Sequence, residues 1–379
     1  MTSSGTTLVT PQDMLQVWLE TLYACSKPPK SRGIVLEPGK EHRRFDALLR
    51  AQSSDVVALW ESFTQERENI GRYLHDPKRA VSAYLLGFHL PNIMRLGIGF
   101  ARLKYSKLFM EELTKPMSVM DIGAGTGSIS LAIAGALHPK SLKQTSFYLI
   151  ESRNAFIDAA KIGLMRAKVD EKKIHPKKTK LEDFFGNRTA IEKIAADPNV
   201  LIIGLGYIWN EILRKTKLRN DVMNFLFQRH KHGHETIVIV SEPANEKICR
   251  DVMSLREELT EMGFEAQYPC PHSAPCPMLK RSRDWCFSEA NWKRPRQIEA
   301  VDKILKINRT KINSTLFILS AHTDLLLQRT GGVVVGKPAD RETSRVEYLV
   351  CSEGGLEKQP AKLASLHRGE TCPKETPKR

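Results

Sequence analysis

The sequence lacks any apolar run near the roughly 20 residues that a membrane-spanning helix needs. Its longest candidate, 129–137, is interrupted by Ser130 and Gly135. The first residues lack the basic segment followed by an apolar one that marks a secretory signal, and they lack the early arginine of a transit peptide. These absences predict a protein without a membrane partner in a reducing compartment, the cytoplasm, or the mitochondrial matrix if the source is eukaryotic.

The seven cysteines include no short C-x2-C pair, the usual signature of a zinc ribbon. Three of them, Cys270, Cys276 and Cys286, lie together in one proline-rich stretch of 17 residues. In a reducing compartment this clustering indicates a metal site rather than disulfides. A fourth ligand is needed, for which Cys351 at the end of a predicted strand is the best candidate and His272 an alternative. Four cysteines fit a [4Fe–4S] cluster, with tetrahedral zinc as the alternative.

Acidic residues are in deficit, because 43 Asp and Glu against 58 Lys and Arg give a formal net charge of +15 and a pI of about 9.5. A pI above about 9 is typical of nucleic-acid-binding proteins. The basic residues are also clustered, and such clusters bind phosphates by releasing counterions. The first cluster is Lys172, Lys173, Lys177, Lys178 and Lys180, and the second is Lys280, Arg281, Arg283, Lys293, Arg294 and Arg296. We therefore predict a surface that binds a polyanion.

The first 115 residues show helical periodicity and no strand pattern. Asp76 and Pro77 have the pattern of an N-cap followed by a first helical residue, and 27–39 is predicted to be a loop. The predicted helices span 12–23, 41–50, 55–66, 78–88 and 91–104. This region is expected to form a cap or a partner-binding surface.

From residue 118 the pattern changes to short apolar strands that alternate with helices. The predicted strands span 118–122, 147–150, 200–205, 236–240, 264–268 and 315–320, and helices follow over 128–137 and 245–262. Continuous apolar strands are expected where helices cover both faces of a sheet. The alternation predicts an α/β fold with an open, mostly parallel Rossmann sheet.

Composition divides the chain into five parts. They are a helical N-terminal region, 1–115; a Rossmann domain, 116–268 with 312–323; a Cys-rich metal-binding insertion, 269–311; a small β appendage, 324–356; and a polar tail containing Cys372, 357–379. The insertion is expected to be irregular, and the tail to be disordered.

A glycine-rich motif, DIGAGTG, places Gly123, Gly125 and Gly127 directly between the first strand and a helix. Glycines allow a tight turn and close approach of a ligand, and the helix N-terminus offers N–H donors. Glu151 ends the second strand, where a carboxylate can accept hydrogen bonds from both hydroxyls of a ribose. This spacing also permits a dinucleotide dehydrogenase, but the G-x-G-x-G form with Asp121 ahead of it favours S-adenosylmethionine. Asp121 is therefore also a candidate cofactor-binding residue.

A third acidic position is offered by Asp183, which we place near the adenine, with a helix N-cap as the alternative role. The Asn/Asp-Pro-Pro-aromatic motif of many amine methyltransferases is absent, because 204–211 reads GLGYIWNE. Within it Asn210 and Glu211 are predicted to cap the start of a helix, with a functional role as the alternative. No catalytic residue is assigned, so the sequence leaves methyl transfer open.

In four features the sequence resembles the mitochondrial small-ribosomal-subunit methyltransferase-like assembly factors and their bacterial relatives. They are the glycine turn, Ser241-Glu242-Pro243, the CPHSAPCPM segment with Asp284-Trp285-Cys286, and the strand that ends at Cys351. The similarity runs from about residue 73 to 355. One departure is Phe287, where the family often has histidine.

The resemblance implies a class I methyltransferase fold, an S-adenosylmethionine site, and a [4Fe–4S] cluster. The implied cofactor residues are Gly123, Gly125, Gly127 and Glu151, and the implied cluster ligands are Cys270, Cys276, Cys286 and Cys351. The implied role is assembly of the small ribosomal subunit through contact with its rRNA, by a protein that is monomeric when free. An active RNA methyltransferase is the first alternative, and a zinc-containing structural module that binds RNA is the second.

Overall fold

A computed structural model describes residues 7–26, 41–64, 76–113, 115–326, 331–336, 347–360 and 366–372. Its helices are α1 Gln12–Cys25, α2 Glu41–Thr64, α3 Pro77–Tyr84, α4 Leu90–Arg102, α5 Lys107–Met110, α6 Ser128–Ala136, α7 Pro139–Gln144, α8 Asn154–Arg166, α9 Leu181–Gly186, α10 Arg188–Ala195, α11 Trp209–Ile212, α12 Thr216–Lys231, α13 Glu246–Glu261 and α14 Arg296–Leu305. Its strands are β1 Thr7–Val9, β2 Met117–Ile122, β3 Thr145–Glu151, β4 Ile174–Lys178, β5 Val200–Gly206, β6 Thr236–Glu242, β7 Glu265–Tyr268, β8 Ser288–Lys293, β9 Lys311–Ala321, β10 Gly332–Gly336, β11 Glu347–Ser352, β12 Gly355–Pro360 and β13 Thr371–Cys372. A π turn, Leu85–His89, joins α3 to α4, and a 3-10 turn, Glu171–Lys173, precedes β4.

The main sheet has the strand order β4-β3-β2-β5-β6-β9, and its first five strands are parallel. The long strand β9 runs antiparallel to β6. Both β7 and β8 pair with β9 on its outer edge, β8 with its first half and β7 with its second half. This is a class I methyltransferase-like Rossmann sheet, so the predicted α/β fold class is confirmed.

The strands are buried on both faces, which explains their continuous apolar sequences. In β5, Val200 and Ile202 pack into one hydrophobic core, while Leu201 and Ile203 pack into the other. Alternate side chains of a strand point to opposite faces, so a single strand contributes to both cores. The predicted strands from β2 to β6 are therefore confirmed in position, with ends that differ by one or two residues, whereas β4 was not predicted.

The N-terminal helices pack on one face of the sheet and share its core. Helix α1 contacts α8, and α4 contacts both α6 and β9. Asp76 caps α3 as predicted, since its Oδ1 accepts from the backbone N–H groups of Lys78 (3.2 Å) and Arg79 (3.3 Å). These helices form part of the main core rather than a separate cap.

Two predictions for the N-terminal region are wrong in detail, whereas the helix predicted from Pro91 is confirmed as α4, which the π turn joins directly to α3. The helices predicted over 41–50 and 55–66 are one helix, α2, at least as far as Thr64. A strand is also present, since Thr7–Val9 pairs with β8. A three-residue strand has no periodicity to detect, and its partner lies far away in the sequence. The loop predicted over 27–39 lies outside the described residues.

A second, smaller sheet lies at the C-terminus, with the order β12-β11-β10-β13. Its interior holds Val334, Tyr348, Val350, Leu366 and Cys372. Strands β12 and β13 fall in the tail predicted to be disordered, so that prediction is wrong for 357–360 and 371–372. The partners that order these strands, β11 and β10, lie earlier in the chain, and tail composition cannot reveal them.

The Cys-rich insertion is also more ordered than predicted. Residues 288–293 form β8 in the main sheet, and α14 packs on α2. The segment between β7 and β8 is therefore a loop that leaves and re-enters the same edge of β9. In the described part of the chain, no helix has the length and apolar character needed to span a membrane.

Candidate functional site

The glycine turn, residues 123–127, connects β2 to α6 with three glycines in left-handed conformation. The φ angles of Gly123, Gly125 and Gly127 are 68°, 53° and 79°. A Cβ on Gly123 would lie 2.8 Å from Ile208, and one on Gly127 would lie 2.9 Å from Ala160. A Cβ on Gly125 would meet nothing closer than 3.9 Å. The outer glycines are thus required by close packing, whereas the space at Gly125 is open to a ligand.

The carboxylate of Glu151 lies against this turn, at the end of the neighbouring strand β3. Its Oε2 accepts from the backbone N–H of Gly125 at 3.1 Å, and its Oε1 accepts from that of Arg153 at 2.9 Å. The side chain is buried, with 8% exposed. The structure therefore brings together the glycine turn and the acidic residue that the sequence placed 24 positions beyond it.

Asp121 lies on the helix side of the turn. Its Oδ2 accepts from both the backbone N–H (3.1 Å) and the hydroxyl (2.7 Å) of Ser130 in the first turn of α6. Burial raises the pKa of this carboxyl to about 7, because its effect is larger than that of the two hydrogen bonds, which lower the pKa. These contacts orient α6, and the predicted contact of Asp121 with the cofactor stays a prediction.

The raised pKa of Asp121 predicts a pH-dependent contribution to folding stability. An unfolded carboxyl loses its proton near pH 4, but the folded one keeps it until about pH 7. The folded state therefore binds more protons in this window, and its stability falls as the pH rises through it. We expect Asp121→Asn to lack this loss. Urea unfolding of both proteins from pH 4 to 8 should show the wild type losing stability relative to the variant, and a constant difference would contradict the pKa.

Asp183 is exposed in the first turn of α9, whose N-cap is Lys180. The alternative N-cap role is therefore wrong. The chain just before it lies at the cofactor end of the sheet, because Thr179 donates its N–H to the carbonyl of Glu151 at 3.1 Å. A contact of Asp183 with adenine stays a prediction.

The segment after β5 holds polar groups that the sequence did not assign. Asn210 lies inside α11, whose N-cap is Ile208, so its predicted capping role is wrong. Its Nδ2 donates to Oε2 of Glu242 at 2.9 Å, and Glu242 is fully buried at the end of β6. Tyr207 has a left-handed φ of 61°. An acidic residue that ends an apolar strand was the signal available for Glu242.

The thiol cluster consists of the four cysteines predicted as metal ligands, Cys270, Cys276, Cys286 and Cys351. All four are buried and line one pocket that is partly open to solvent. Three come from the loop between β7 and β8, and β11 of the C-terminal sheet supplies the fourth. Phe317 of β9 and Val335 of β10 complete the walls.

The acidities of these thiols reflect their burial and their mutual proximity. Burial raises the pKa of Cys270 to about 11 and that of Cys351 to about 12, and neighbouring thiols of the cluster raise both further. The pKa of Cys286 is raised well above its usual value by burial, then by the other three thiols of the cluster. Four such thiols keep their protons unless a cation displaces them.

A metal site at the thiol cluster stays a prediction. Within the seven described ranges, no group of three or more His, Cys, Asp or Glu side chains could hold one metal ion. His272, the alternative ligand, places its Nε2 3.5 Å from the sulfur of Cys351. Cys372 lies elsewhere, where its Sγ contacts Oε1 of Gln359 at 3.0 Å.

A buried cation that the sequence analysis missed lies beside the thiol cluster. Arg256 of α13 is 1% exposed and donates from Nη2 to the carbonyl of His272 at 2.6 Å. Its charge lowers the pKa of Cys270, opposing the larger effect of burial. The adjacent Glu257 accepts from the N–H of Cys276 at 3.0 Å. The signal for Arg256 was its helical phase, because Val252, Leu255 and Leu259 around it are buried.

The two basic clusters differ in the structure. The first lies on the edge strand β4 and its flanks, mostly exposed, and its five lysines form no ion pair within the described residues. In the second, ion pairs engage Arg281 with Asp284 (2.8 Å), Arg294 with Asp302 (2.8 Å) and Arg296 with Asp46 (3.0 Å). The prediction of a polyanion surface is therefore weakened for the second cluster, whose arginines are largely neutralised.

Among known proteins, the family model described as mitochondrial small ribosomal subunit Rsm22 matches residues 101–353, about two thirds of the chain. A comparison with curated proteins finds no match.

Several solved structures are similar in fold. Precorrin-6y C5,15-methyltransferase from Geobacter metallireducens GS-15 is 10% identical with a TM-score of 0.34, covering 59% of this chain and 85% of its own. The fibrillarin pre-rRNA processing protein of Methanococcus jannaschii is 13% identical with a TM-score of 0.31, covering 61% and 76%. TYW2 of M. jannaschii, solved in complex with AdoMet, is 13% identical with a TM-score of 0.29, covering 59% and 77%. At these values the likeness carries no functional conclusion.

Proposed function

This chain belongs to the mitochondrial small ribosomal subunit Rsm22 family, and on that premise we propose that it is an S-adenosylmethionine-binding assembly factor of the small ribosomal subunit. It acts by holding rRNA, and it works in the mitochondrial matrix or, in a bacterium, in the cytoplasm. The observation that carries the proposal is the hydrogen bond between the N–H of Gly125 and the carboxylate of Glu151.

That hydrogen bond supports S-adenosylmethionine binding for a geometric reason. It holds a buried carboxylate at the mouth of the glycine turn, beside the open space at Gly125. A bound nucleoside can place its ribose hydroxyls on Glu151 and approach the backbone of the turn. Asp121 contributes by fixing α6, and we keep Asp183 as the proposed contact to adenine.

Calorimetric titration of the purified protein with S-adenosylmethionine tests this proposal directly. We expect saturable binding with one site per chain, and competition by S-adenosylhomocysteine. NAD should not compete, because the turn has the G-x-G-x-G form. Absence of any binding by a folded protein would reject the proposed cofactor.

Methyl transfer to RNA is the second candidate, favoured by the buried Glu242 and the Asn210 amide after β5. Incubation with labelled S-adenosylmethionine and immature small-subunit RNA distinguishes it from binding alone. Incorporation of label that depends on Asn210 would establish an enzyme. Verified cofactor binding without incorporation would leave the assembly role without catalysis.

For the thiol cluster we propose a [4Fe–4S] group held by its four cysteines. Zinc requires its ligands at about 2.0–2.3 Å from one ion, whereas each cysteine of a [4Fe–4S] group bonds a different iron. Four cysteines that line one pocket supply the donor set of the larger group. The positive charge of Arg256 offsets part of the negative charge that four thiolates bring into the interior.

Anaerobic purification followed by metal analysis separates the two metals. We expect a brown protein with about four irons per chain, as a [4Fe–4S] group requires. A colourless protein with one zinc per chain would favour the structural zinc module instead.

For RNA we propose that the β4 surface, formed by Lys172, Lys173, Lys177, Lys178 and Lys180, contacts the phosphate backbone. These lysines lie beside the cofactor site, because Lys178 is in register with Glu151. The ring of His175 stacks on Tyr148 at 4.8 Å between centroids, and its pKa is lowered by burial and then by Lys177 and Lys173. A basic strip with adjacent aromatic rings suits single-stranded RNA.

Removing three of these lysines should weaken RNA binding and reduce its salt dependence. The change is Lys177→Ala, Lys178→Ala and Lys180→Ala together. Each lost phosphate contact lowers the slope of log K against log salt by about 1, so we expect a decrease of about 3. The measurement is filter binding of small-subunit rRNA at salt concentrations from about 50 to about 200 mM, a range over which such slopes are determined.

The matched control replaces three exposed lysines that are already paired with acidic residues. They are Lys107, Lys115 and Lys140, whose partners are Asp324, Glu235 and Glu112. This variant loses the same positive charge and should keep the wild-type slope. If both variants lose equally, net charge rather than the β4 surface governs binding.

A further inference from the structure

A histidine of the N-terminal region reaches the glycine turn from outside the Rossmann sheet. His89 is fully buried, and its Nδ1 lies 2.7 Å from Oγ1 of Thr126 and 3.2 Å from Oγ of Ser128. Thr126 belongs to the turn, and Ser128 begins α6. One ring nitrogen thus contacts hydroxyl groups on both sides of Gly127.

The backbone that carries His89 is held in place by distant side chains. His89 ends the π turn, and a π turn leaves backbone carbonyls outside the regular helical pattern. Trp18 of α1 donates its Nε1 to the carbonyl of Leu85 at 2.8 Å. Arg309, from the segment after α14, donates its Nη1 to the carbonyl of Gly87 at 2.6 Å. Two partners from opposite ends of the sequence therefore fix the π turn against the sheet.

The imidazole remains neutral and is only partly satisfied. Burial lowers the pKa of His89 to about 3, so the ring carries no charge at physiological pH. Its Nε2 has no hydrogen-bond partner among the described residues. An unsatisfied buried polar atom costs free energy, which the contact of Nδ1 with the turn must outweigh. The neutral ring offers a hydrogen bond beside a cationic cofactor without repelling it.

We propose that His89 is a positioning residue for the cofactor site, acting through Nδ1 on Thr126 and Ser128 to hold the glycine turn in its ligand-accepting form. The inference rests on the proposed S-adenosylmethionine site and adds that the N-terminal helices are part of it. Residues 85–89 link the two, because Trp18 of α1 and Arg309 hold them in place and His89 at their end contacts the glycine turn. The turn is thereby rigid before the cofactor arrives, which lowers the ordering cost of binding.

The test uses the two amide substitutions that mimic one ring nitrogen each. His89→Asn places its amide near the position of Nδ1, and His89→Gln places it near Nε2. We expect His89→Asn to bind S-adenosylmethionine within about threefold of the wild type. His89→Gln and His89→Ala should bind roughly 5- to 100-fold more weakly, the range expected for one lost buried hydrogen bond. Calorimetry on the full chain measures the affinities, and hydrogen exchange of 123–128 reports the order of the turn.

Thr126→Val removes the partner hydroxyl without altering the helix that carries His89, so it tests the same contact if the His89 variants fold poorly. It should weaken binding by a similar or smaller factor, because Ser128 still contacts Nδ1, and His89→Ala combined with Thr126→Val should cost no more than His89→Ala alone. Three outcomes would overturn the proposal: equal affinity in all variants, equal loss in all three His89 variants, or rescue by His89→Gln alone.

Failure of the inference can be told apart from failure of the proposed function. If the wild type does not bind S-adenosylmethionine, the proposed function fails. In that case faster hydrogen exchange over 123–128 in His89→Gln than in His89→Asn still supports the positioning role, and equal exchange rejects it.

Discussion

Cys286→Ser is expected to abolish binding of the proposed [4Fe–4S] group and to destabilise two separated parts of the chain together. Cys286 is buried in the thiol cluster, where the β7–β8 loop meets Cys351 of the C-terminal sheet. Metal binding contributes folding free energy to such a site, and a serine hydroxyl is a poor ligand for iron. We expect iron to fall from about four per chain to near zero, with a loss on the order of several kcal/mol in the free energy of unfolding. Iron analysis and thermal unfolding measure the two effects.

Limited proteolysis should show the coupling, because cleavage in 269–287 and in 347–360 should become faster in the same variant. Cys372→Ser is the matched control. Cys372 is buried in the C-terminal sheet, as Cys351 is, but it contacts Gln359 and does not line the pocket of the thiol cluster. It should keep its iron and its proteolysis pattern. Full metal content and unchanged stability in Cys286→Ser would refute the four-cysteine ligand set.

Glu151→Gln is expected to weaken S-adenosylmethionine binding by roughly 10- to 100-fold. The amide has the shape of the carboxylate, and its oxygen can still accept from the N–H of Gly125, so the turn should survive, whereas its NH2 group cannot accept from the N–H of Arg153. What is lost is the charge of the acceptor, which lowers the contribution of each hydrogen bond from a ribose hydroxyl from about 1.5–3 to about 0.5–1.5 kcal/mol. Calorimetry gives the affinity, and the unfolding temperature checks that the fold is intact.

A matched control for this change is Glu192→Gln on α10, an exposed glutamate outside the cofactor site. It removes the same charge and should bind S-adenosylmethionine as the wild type does. Wild-type affinity in Glu151→Gln would show that this carboxylate does not bind the ribose hydroxyls. The glycine turn would then need another acidic partner, for which Asp183 is the next candidate.

The parts of the fold that the sequence predicted are those whose signal is local. Strands β2, β3, β5 and β6 are apolar runs bounded by turns, and the cap formed by Asp76 and Pro77 is a two-residue pattern. The parts that it missed depend on distant partners. Strand β1 is three residues that pair with β8, and β12 and β13 become strands only against β11 and β10.

The same division holds for the candidate site. Gly123, Gly125 and Gly127 could be recognised because a strand, a left-handed turn and a helix follow one another within a few residues. The cysteines could be recognised because three are close in sequence. The contacts of His89 and Arg256 could not, since their partners, Thr126 and His272, are contributed by other elements; the helical phase of Arg256 indicates its burial but not its partner.

The glycine motif, the cysteine spacing and the excess of lysine by themselves determined the fold class, the two candidate sites and the basic character of the protein. Each depends on residue type and on short-range order. Only the tertiary structure decided that Asp121 accepts hydrogen bonds from the first turn of α6 and that the arginines of the second basic cluster largely pair with carboxylates. It also decided that His89, from the N-terminal region, contacts the glycine turn. Those outcomes depend on which groups become neighbours when water is excluded, because a buried polar group must find its partner wherever the packed chain provides one.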